Sequence, residues 1–344
     1  MERGDLERAA QLLRRGEVVA LPTETVYGLG ANALDAAAVG KIFAAKGRPQ
    51  DNPLIVHICQ LDQLSGLVQQ VPPLAQRLAR AFWPGPLTMV MKKSGAVPDE
   101  VSAGLDTVAV RFPAHPVARA LIELAAVPIA APSANASGRP STTTAQHVLE
   151  DLDGKIAAVV DGGSCGVGVE STVVDVTGDK LRLLRPGGIT LEQLRQAAGE
   201  VEVDAALRRQ LGRDETPRSP GMKYKHYAPR APVTAVCGAP RRSYAYLCRH
   251  ARPGQGLLCF SEWEGALREQ FPDCVVISYG PGADHAAQAR QLFDALRRFD
   301  ETPVAAILAQ CPEEDGLGLA VANRLKKAAG FTLVQAGGEE GEKA

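Results

Sequence analysis

The chain has 344 residues, 38 Lys and Arg against 39 Asp and Glu, and a formal net charge of −1. A length of this order suggests two domains with cores large enough to need no covalent staples. Near-neutral charge gives no global attraction to nucleic acid, and seven scattered cysteines, none spaced as CxxC, exclude a disulfide framework and a zinc finger.

The N-terminal MERGDLERAAQLLRRGE is charged throughout and lacks the apolar core of a signal peptide. No apolar run approaches the roughly 20 residues of a membrane helix, so a cytoplasmic protein is expected. In chain order, Leu6, Ala9, Ala10 and Leu13 recur at helical spacing behind Asp5. The run 17–21 (EVVAL), stopped by Pro22, predicts a buried strand. Asp35 caps a helix running to Lys46, followed by a strand over 54–58. Helix 74–82, strand 87–91, strand 107–112, helix 116–125 and strand 128–131 come next. Strands at 156–160, 171–176 and 181–184 and a helix over 191–198 complete a first domain of mixed α/β character, assigned to 1–205. Strands and helices do not alternate strictly there, which predicts a mixed sheet.

Residues 206–232 read as a linker, and 233–338 as a second domain. There the strand-like runs VTAVC, GLLCF, CVVIS and VAAIL are separated by helical patterns at 283–299 and 319–329. Regular alternation predicts a small Rossmann-like parallel domain. The final residues, 339–344, are expected to be disordered.

Three glycine patterns invite misreading, of which Gly316-Leu-Gly318 in the second domain is expected only to let a helix approach its sheet. Gly28-Leu-Gly30-Ala-Asn-Ala33 resembles a dinucleotide fingerprint, but PTETVY intervenes after the strand and no acid ends the next one. Gly162-Gly-Ser164-Cys-Gly166 matches GxSxG, but a nucleophile elbow requires a helix afterwards, and ESTVVD predicts a strand.

The informative residues are polar groups beside strand ends. The loop PTETVYG carries Thr23, Glu24, Thr25 and Tyr27. KGRPQDNPLIVH puts Lys46 and Arg48 at a helix end, where cations suit either the helix dipole or a polyphosphate, ahead of Asn52 and His57. Arg111 lies inside the apolar strand TVAVRF and needs an anionic partner. No local one is evident, which suggests a ligand anion. APSANASG adds Ser133 and Asn135, ESTVVD adds Ser171, and LLRPGG adds Arg185. No covalent nucleophile or metal-ligand cluster stands out. Hydroxyls and cations around one sheet suit a nucleotide and a small polar acid, with catalysis by positioning and charge neutralisation.

PTETVYGLG, KGRP…NPLIVH, WPGPLT, VAVRFP, APSANASG, GVGVESTVVD and RPGGIT, in this order, resemble the threonylcarbamoyl-AMP synthases, enzymes of YrdC-like fold. SPGMKYKHYAP followed by a second α/β domain resembles their long form. The resemblance implies condensation of L-threonine, bicarbonate or CO2, and ATP into threonylcarbamoyl-AMP and pyrophosphate, with Mg2+ accompanying ATP and no protein metal ligands. It implies that Thr25, His57, Arg111, Ser133 and Ser171 hold threonine or its carbamate. Arg48, Asn52, Thr107, Asn135, Thr143 and Arg185 would bind ATP, and Lys46 and Arg48 would serve catalysis. The product would feed a separate tRNA threonylcarbamoyl transferase, and weak contact with tRNA is a further expectation. Tyr224, His226 and Tyr227 of the linker carry aromatic and basic groups that a spacer does not need, so the linker is expected to act as a lid. Thr142 stands where this family often has proline. Two rival readings are an RNA-binding module of the same fold without catalysis and a carbamoyl-transfer maturation enzyme, whose usual cysteine-rich zinc segments are missing from this sequence.

Overall fold

The computed structural model describes residues 3–207 and 226–337. Tyr224, most of the expected linker and the expected disordered tail lie outside the described residues. The chain divides into two compact units, the first holding residues 3–137 and 141–207, the second holding 138–140 and 226–337.

Among the described residues the first unit contains one ten-stranded sheet. Its strands are β1 (Val19–Leu21), β2 (Gly28–Asn32), β3 (Ile55–His57), β4 (Leu87–Lys92), β5 (Thr107–Arg111), β6 (Ile129–Ala130), β7 (Ala158–Val159), β8 (Thr172–Asp175), β9 (Leu181–Arg185) and β10 (Val201–Val203). The order is β10-β9-β8-β4-β5-β3-β6-β2-β1-β7. Pairing is mixed: β3–β5, β4–β8, β9–β10 and β1–β7 are parallel, and the other neighbours antiparallel.

Alternation along the strands sorts the side chains between two faces. On one face Ala20, Val56, Met89, Met91, Val108, Val110 and Val174 join the main core. Helices Ala36–Lys46, Pro73–Phe82, Ala145–Leu152 and Leu191–Ala198 contribute buried apolar residues to that same core. On the other face, Val19, Leu21 and Ile129 pack against helices Arg3–Arg14 and Pro116–Ala125. The part of this face built by β3, β5, β4, β8 and β9 has only a small apolar patch, namely Ile55, Val90, Ala109, Val173 and Leu184. Polar residues occupy the rest of it.

The sequence shows a loop in PTETVYG and no strand signal before Asp35, whereas Gly28–Asn32 forms β2, antiparallel to β1. Its glycines mark close packing. A Cβ on Gly30 would stand 2.7 Å from Leu21 Cδ2 and 2.8 Å from Ile129 Cγ2. After Gly166 the chain makes no helix before β8, so the elbow required of a Ser164 nucleophile is absent among the described residues.

The second unit is a five-stranded parallel sheet of β11 (Val233–Cys237), β12 (Gly256–Cys259), β13 (Val275–Ser278), β14 (Ile307–Gln310) and β15 (Leu333–Gln335). The order β13-β12-β14-β11-β15 is doubly wound. Tyr227 is 5 % exposed, its ring centroid 5.3 Å from that of Phe293 and 5.6 Å from the Arg324 guanidinium carbon. Within the same unit Arg139 pairs with Asp300 at 3.2 Å, and Arg297 Nη2 donates to the Pro140 carbonyl at 2.6 Å.

Candidate active site

The polar part of the first unit's sheet begins with three residues placed side by side by register. Arg111, at the end of β5, faces His57 on β3 and Thr88 on β4. Arg111 is 3 % exposed. Its Nη1 donates to Thr25 Oγ1 at 2.8 Å, and its Nη2 lies 2.7 Å from Glu24 Oε1. A carboxylate beside this buried arginine comes from the TET loop after β1, far from it in the chain, where the sequence offers no local partner. That loop is fixed from within. Thr23 Oγ1 donates to the Val26 carbonyl at 2.6 Å and sits 2.8 Å from Thr25 Oγ1.

Electrostatics follow from this pairing. Burial alone would raise the Glu24 pKa, but the Arg111 charge paired with it outweighs burial and holds the carboxyl below its usual range. Burial, and then the Arg111 charge, push His57 down to about 3, so its imidazole is neutral at physiological pH. Its Nδ1 lies 3.2 Å from the Ile55 carbonyl.

The row continues across β4, β8 and β9. Thr88 Oγ1 and Ser171 Oγ are 2.8 Å apart. Arg185 Nη2 donates to Ser171 Oγ and its Nε to the Ser171 carbonyl, both at 3.1 Å. The RPGG turn after β9 is tied to β8, because Thr172 Oγ1 donates to the Ile189 carbonyl at 2.6 Å and accepts from its amide at 2.9 Å.

A second group forms around Lys46, the last residue of its helix. Gly47 follows in the left-handed region at φ 61 and ends the helix. Lys46 is 4 % exposed, and its Nζ donates to the carbonyls of Ser133, at 2.5 Å, and Asn135. Ser133 Oγ donates to Asn135 Oδ1 at 2.5 Å, and the Ala136 amide donates to Asp151 Oδ2 at 2.9 Å. The lysine thus organises the SAN loop through its backbone.

Arg48 Nη2 donates to the carbonyls of Asn52 and Pro53, each at 3.3 Å. Asn52 is 1 % exposed, yet neither amide atom of its side chain has a protein partner. Buried amides are rarely left so, and such a group points to a ligand. Thr107 shares the Arg111 face of β5 but stands four residues, about 13 Å, before it. The β3–β5 register carries it towards Pro53. Thr143 has its amide and hydroxyl each 3.4 Å from His147 Nδ1, and the buried Thr142 hydroxyl beside it lacks a partner.

The structure therefore brings Thr25, His57 and Arg111 together, and joins Ser171 to Arg185. It gathers Lys46, Ser133 and Asn135 around one loop, with Arg48 against Asn52. Thr107 stands apart at the other end of its strand. His226 and Tyr227 belong to the second unit, where the Tyr227 ring is engaged as described above. Sequence reasoning missed Glu24 as the arginine's partner, Thr88 and the unpartnered Thr142 hydroxyl. For Glu24 the signal was present: an acid flanked by threonines in a loop otherwise without charge.

Among the described residues no three His, Cys, Asp or Glu side chains converge to hold a metal. The donors near Lys46 and Arg48 are cations, hydroxyls and carbonyls.

Fold and site define a two-unit α/β protein whose first sheet carries a buried, hydroxyl-rich, basic site with no nucleophile elbow. Residues 11–187 match the family described as Telomere recombination (Sua5, YciO and YrdC), and residues 189–330 the threonylcarbamoyl-AMP synthase C-terminal domain. A threonylcarbamoyl-AMP synthase of Pyrococcus abyssi is 48 % identical over 97 % of each chain, and one of Bacillus subtilis is 50 % identical over 96 % of this chain and 94 % of its own. A solved structure of P. abyssi Sua5 complexed with L-threonine has a TM-score of 0.89 at 47 % identity, covering 97 % of each chain. This chain belongs to the threonylcarbamoyl-AMP synthase family, and it is an enzyme, a transferase that uses ATP.

Proposed function

We infer that this protein condenses L-threonine, bicarbonate or CO2, and ATP into threonylcarbamoyl-AMP and pyrophosphate. The observation that carries the reading is the Arg111–Thr25–Glu24 arrangement beside His57, on a chain similar over nearly its whole length to synthases of that name. An amino acid is a zwitterion, and Arg111 and Glu24 offer it a cation and an anion side by side. Arg111 takes the carboxylate and Glu24 the ammonium. Hydroxyls of Thr25, Ser133 and Ser171 and the neutral His57 ring provide donors and acceptors for the substrate side chain and the carbamate.

The chemistry needs no enzyme nucleophile. The threonine amine captures CO2, a carbamate oxygen attacks the α-phosphorus, and pyrophosphate leaves. Asn52, with its unpartnered amide, binds the nucleotide together with Arg48, Thr107, Asn135, Thr143 and Arg185. Lys46 and Arg48 neutralise charge that develops on the phosphates. Magnesium bound with ATP supplies further neutralisation of the phosphate oxygens. Carbamates hydrolyse readily, so water must be excluded, and the segment containing Tyr224 and His226 serves as the lid. The product passes to a tRNA threonylcarbamoyl transferase, with weak tRNA contact by this chain, and seven free cysteines suit the cytoplasm.

The test is pyrophosphate release with threonine, serine or valine, with and without bicarbonate. Release is expected only with amino acid and bicarbonate together. Serine, lacking one methyl group, should be slower by about 10–200-fold, and valine, lacking the hydroxyl, by about 10⁴-fold. Release that ignores the amino acid overturns the reading in favour of another ATP-cleaving activity, and no release at all leaves RNA binding without catalysis as the successor.

A further inference from the structure

The second unit has a crevice of its own. In the order β13-β12-β14-β11-β15, the chain leaves β11 towards β12 and leaves β14 towards β15, in opposite directions across the sheet. Such switch points open a cleft at the carboxyl ends of the two strands. A cleft of about 530 Å³ lies there, lined by Cys237, Pro312, Glu314 and Lys326 among others.

Two cysteines meet at this point. Cys237 is the last residue of β11, and Cys311 directly follows β14. Val236 pairs with Gln310 in parallel register, and the Cys311 amide continues the ladder by donating to the Val236 carbonyl at 3.0 Å. The next residues in register are the two cysteines, so their Cβ atoms leave the same face of neighbouring strands. Strands in a sheet lie about 4.8 Å apart, within the roughly 4.4–6.8 Å between Cα atoms that a disulfide spans. Both thiols are free. Cys311 is buried, while Cys237 is part-exposed and lines the cleft.

We propose that Cys237 and Cys311 form a reversible oxidative modification site, in which Cys237 reacts with a hydroperoxide entering the cleft and Cys311 resolves it to an intramolecular disulfide. The neighbouring Cys311 thiol and the Lys326 charge hold the Cys237 pKa down, while the pairing with Cys237 and then burial raise that of Cys311. Attacking and resolving roles are divided in the same sense by access, since Cys237 lines the cleft and Cys311 is buried. In the first step the Cys237 thiolate attacks one peroxide oxygen. The O–O bond breaks, an alcohol or water leaves, and sulfur is oxidised by two electrons to the sulfenic acid. In the second, Cys311 sulfur attacks Cys237 sulfur, the S–O bond breaks, and water departs with the Cys311 proton. Two thiols and one hydroperoxide thus give one disulfide, one alcohol and one water. This site is separate from the proposed adenylate chemistry and does not depend on it.

The experiment is limited hydrogen peroxide treatment of the full chain, followed by thiol counting and non-reducing peptide mass spectrometry. Two of the seven thiols are expected to disappear, with a peptide joining Cys237 to Cys311 that dithiothreitol separates. Cys311→Ser should leave a Cys237 sulfenic acid that dimedone captures, and Cys237→Ser should leave Cys311 reduced. Further oxidation of Cys237 in the unsubstituted chain without a link, a link from Cys237 to any other cysteine, or both thiols surviving while other cysteines oxidise would each overturn the proposal.

Discussion

A guanidinium withdrawn from water destabilises a fold by several kcal/mol unless a charge and good hydrogen bonds compensate it. Arg111 has both, from Glu24 and Thr25. Removing the charge of one partner leaves the other stranded. Glu24→Gln is therefore expected to destabilise the first unit by about 3 kcal/mol in urea unfolding, and to weaken threonine use in the pyrophosphate assay. His57 makes the same region acid-sensitive. Folded, it stays neutral down to a pKa of about 3, while unfolded it protonates near 6.5, so the unfolded chain binds more protons between these values. Its contribution is complete above pH 6.5 and is lost as pH falls towards 3, by up to about 1.4 kcal/mol per pH unit. Glu24, held below the ordinary carboxylate range, adds a loss in the same direction at lower pH. Denaturation midpoints measured across pH should show His57→Asn flattening the decline from 6.5 towards 3, leaving only the part that Glu24 adds at the acid end. The residue types at this site were legible in sequence because polar groups interrupt apolar strands. The Arg111–Glu24 pair was not, since it joins a loop to a strand 87 positions later in register with neither.

At the scale of elements, legibility followed periodicity. Strands such as β4 and β5 and helices such as Pro116–Ala125 carry apolar patterns that leave one reading. β2 escaped because GLGAN looks like a turn, and its glycines serve contact with Leu21 and Ile129 instead. Helix Ala145–Leu152 was hidden behind a threonine run whose last member, Thr144, is its cap, accepting from the His147 amide. The short edge strands β10 and β15 have three residues each, too few to show alternation. The RPGG turn offers a sharp test of element packing. A Cβ on Gly187 would stand 2.3 Å from both the Glu170 carbonyl oxygen and the Thr172 amide nitrogen, which are backbone and cannot swing aside. Gly187→Ala should destabilise the chain by about 1–3 kcal/mol in thermal unfolding and displace Ser171 and Arg185 together, reducing turnover as well.

For the whole molecule, the two-domain organisation and mixed-then-parallel sheet classes could be read from the alternation of patterns, because layer architecture is what that alternation encodes. The order of strands could not, since pairings such as β4 with β8 connect distant segments. The second unit's engagement of Tyr227 shapes the lid test. Deleting the whole linker would also remove a buried ring, so the cleaner variant replaces residues 213–224 with glycine and serine at equal length. Turnover of threonine, ATP and bicarbonate is expected to fall at least tenfold while the unfolding midpoint is unchanged; full turnover would mean that the segment is a tether.

The strand order also dictates a timetable during synthesis. β1 meets its antiparallel neighbour β2 within a few residues, but its parallel neighbour β7 is paired through Val19 and Ala158. At ribosomal rates of about 5–20 residues per second, one side of β1 waits roughly 7–30 s for that partner to emerge. Throughout that interval Val19 and Ala20 present an open strand edge in a crowded cell, where other nascent chains can bind it. Slowing translation between β2 and β7 lengthens that exposure and should lower the soluble yield, measured as the soluble fraction after expression.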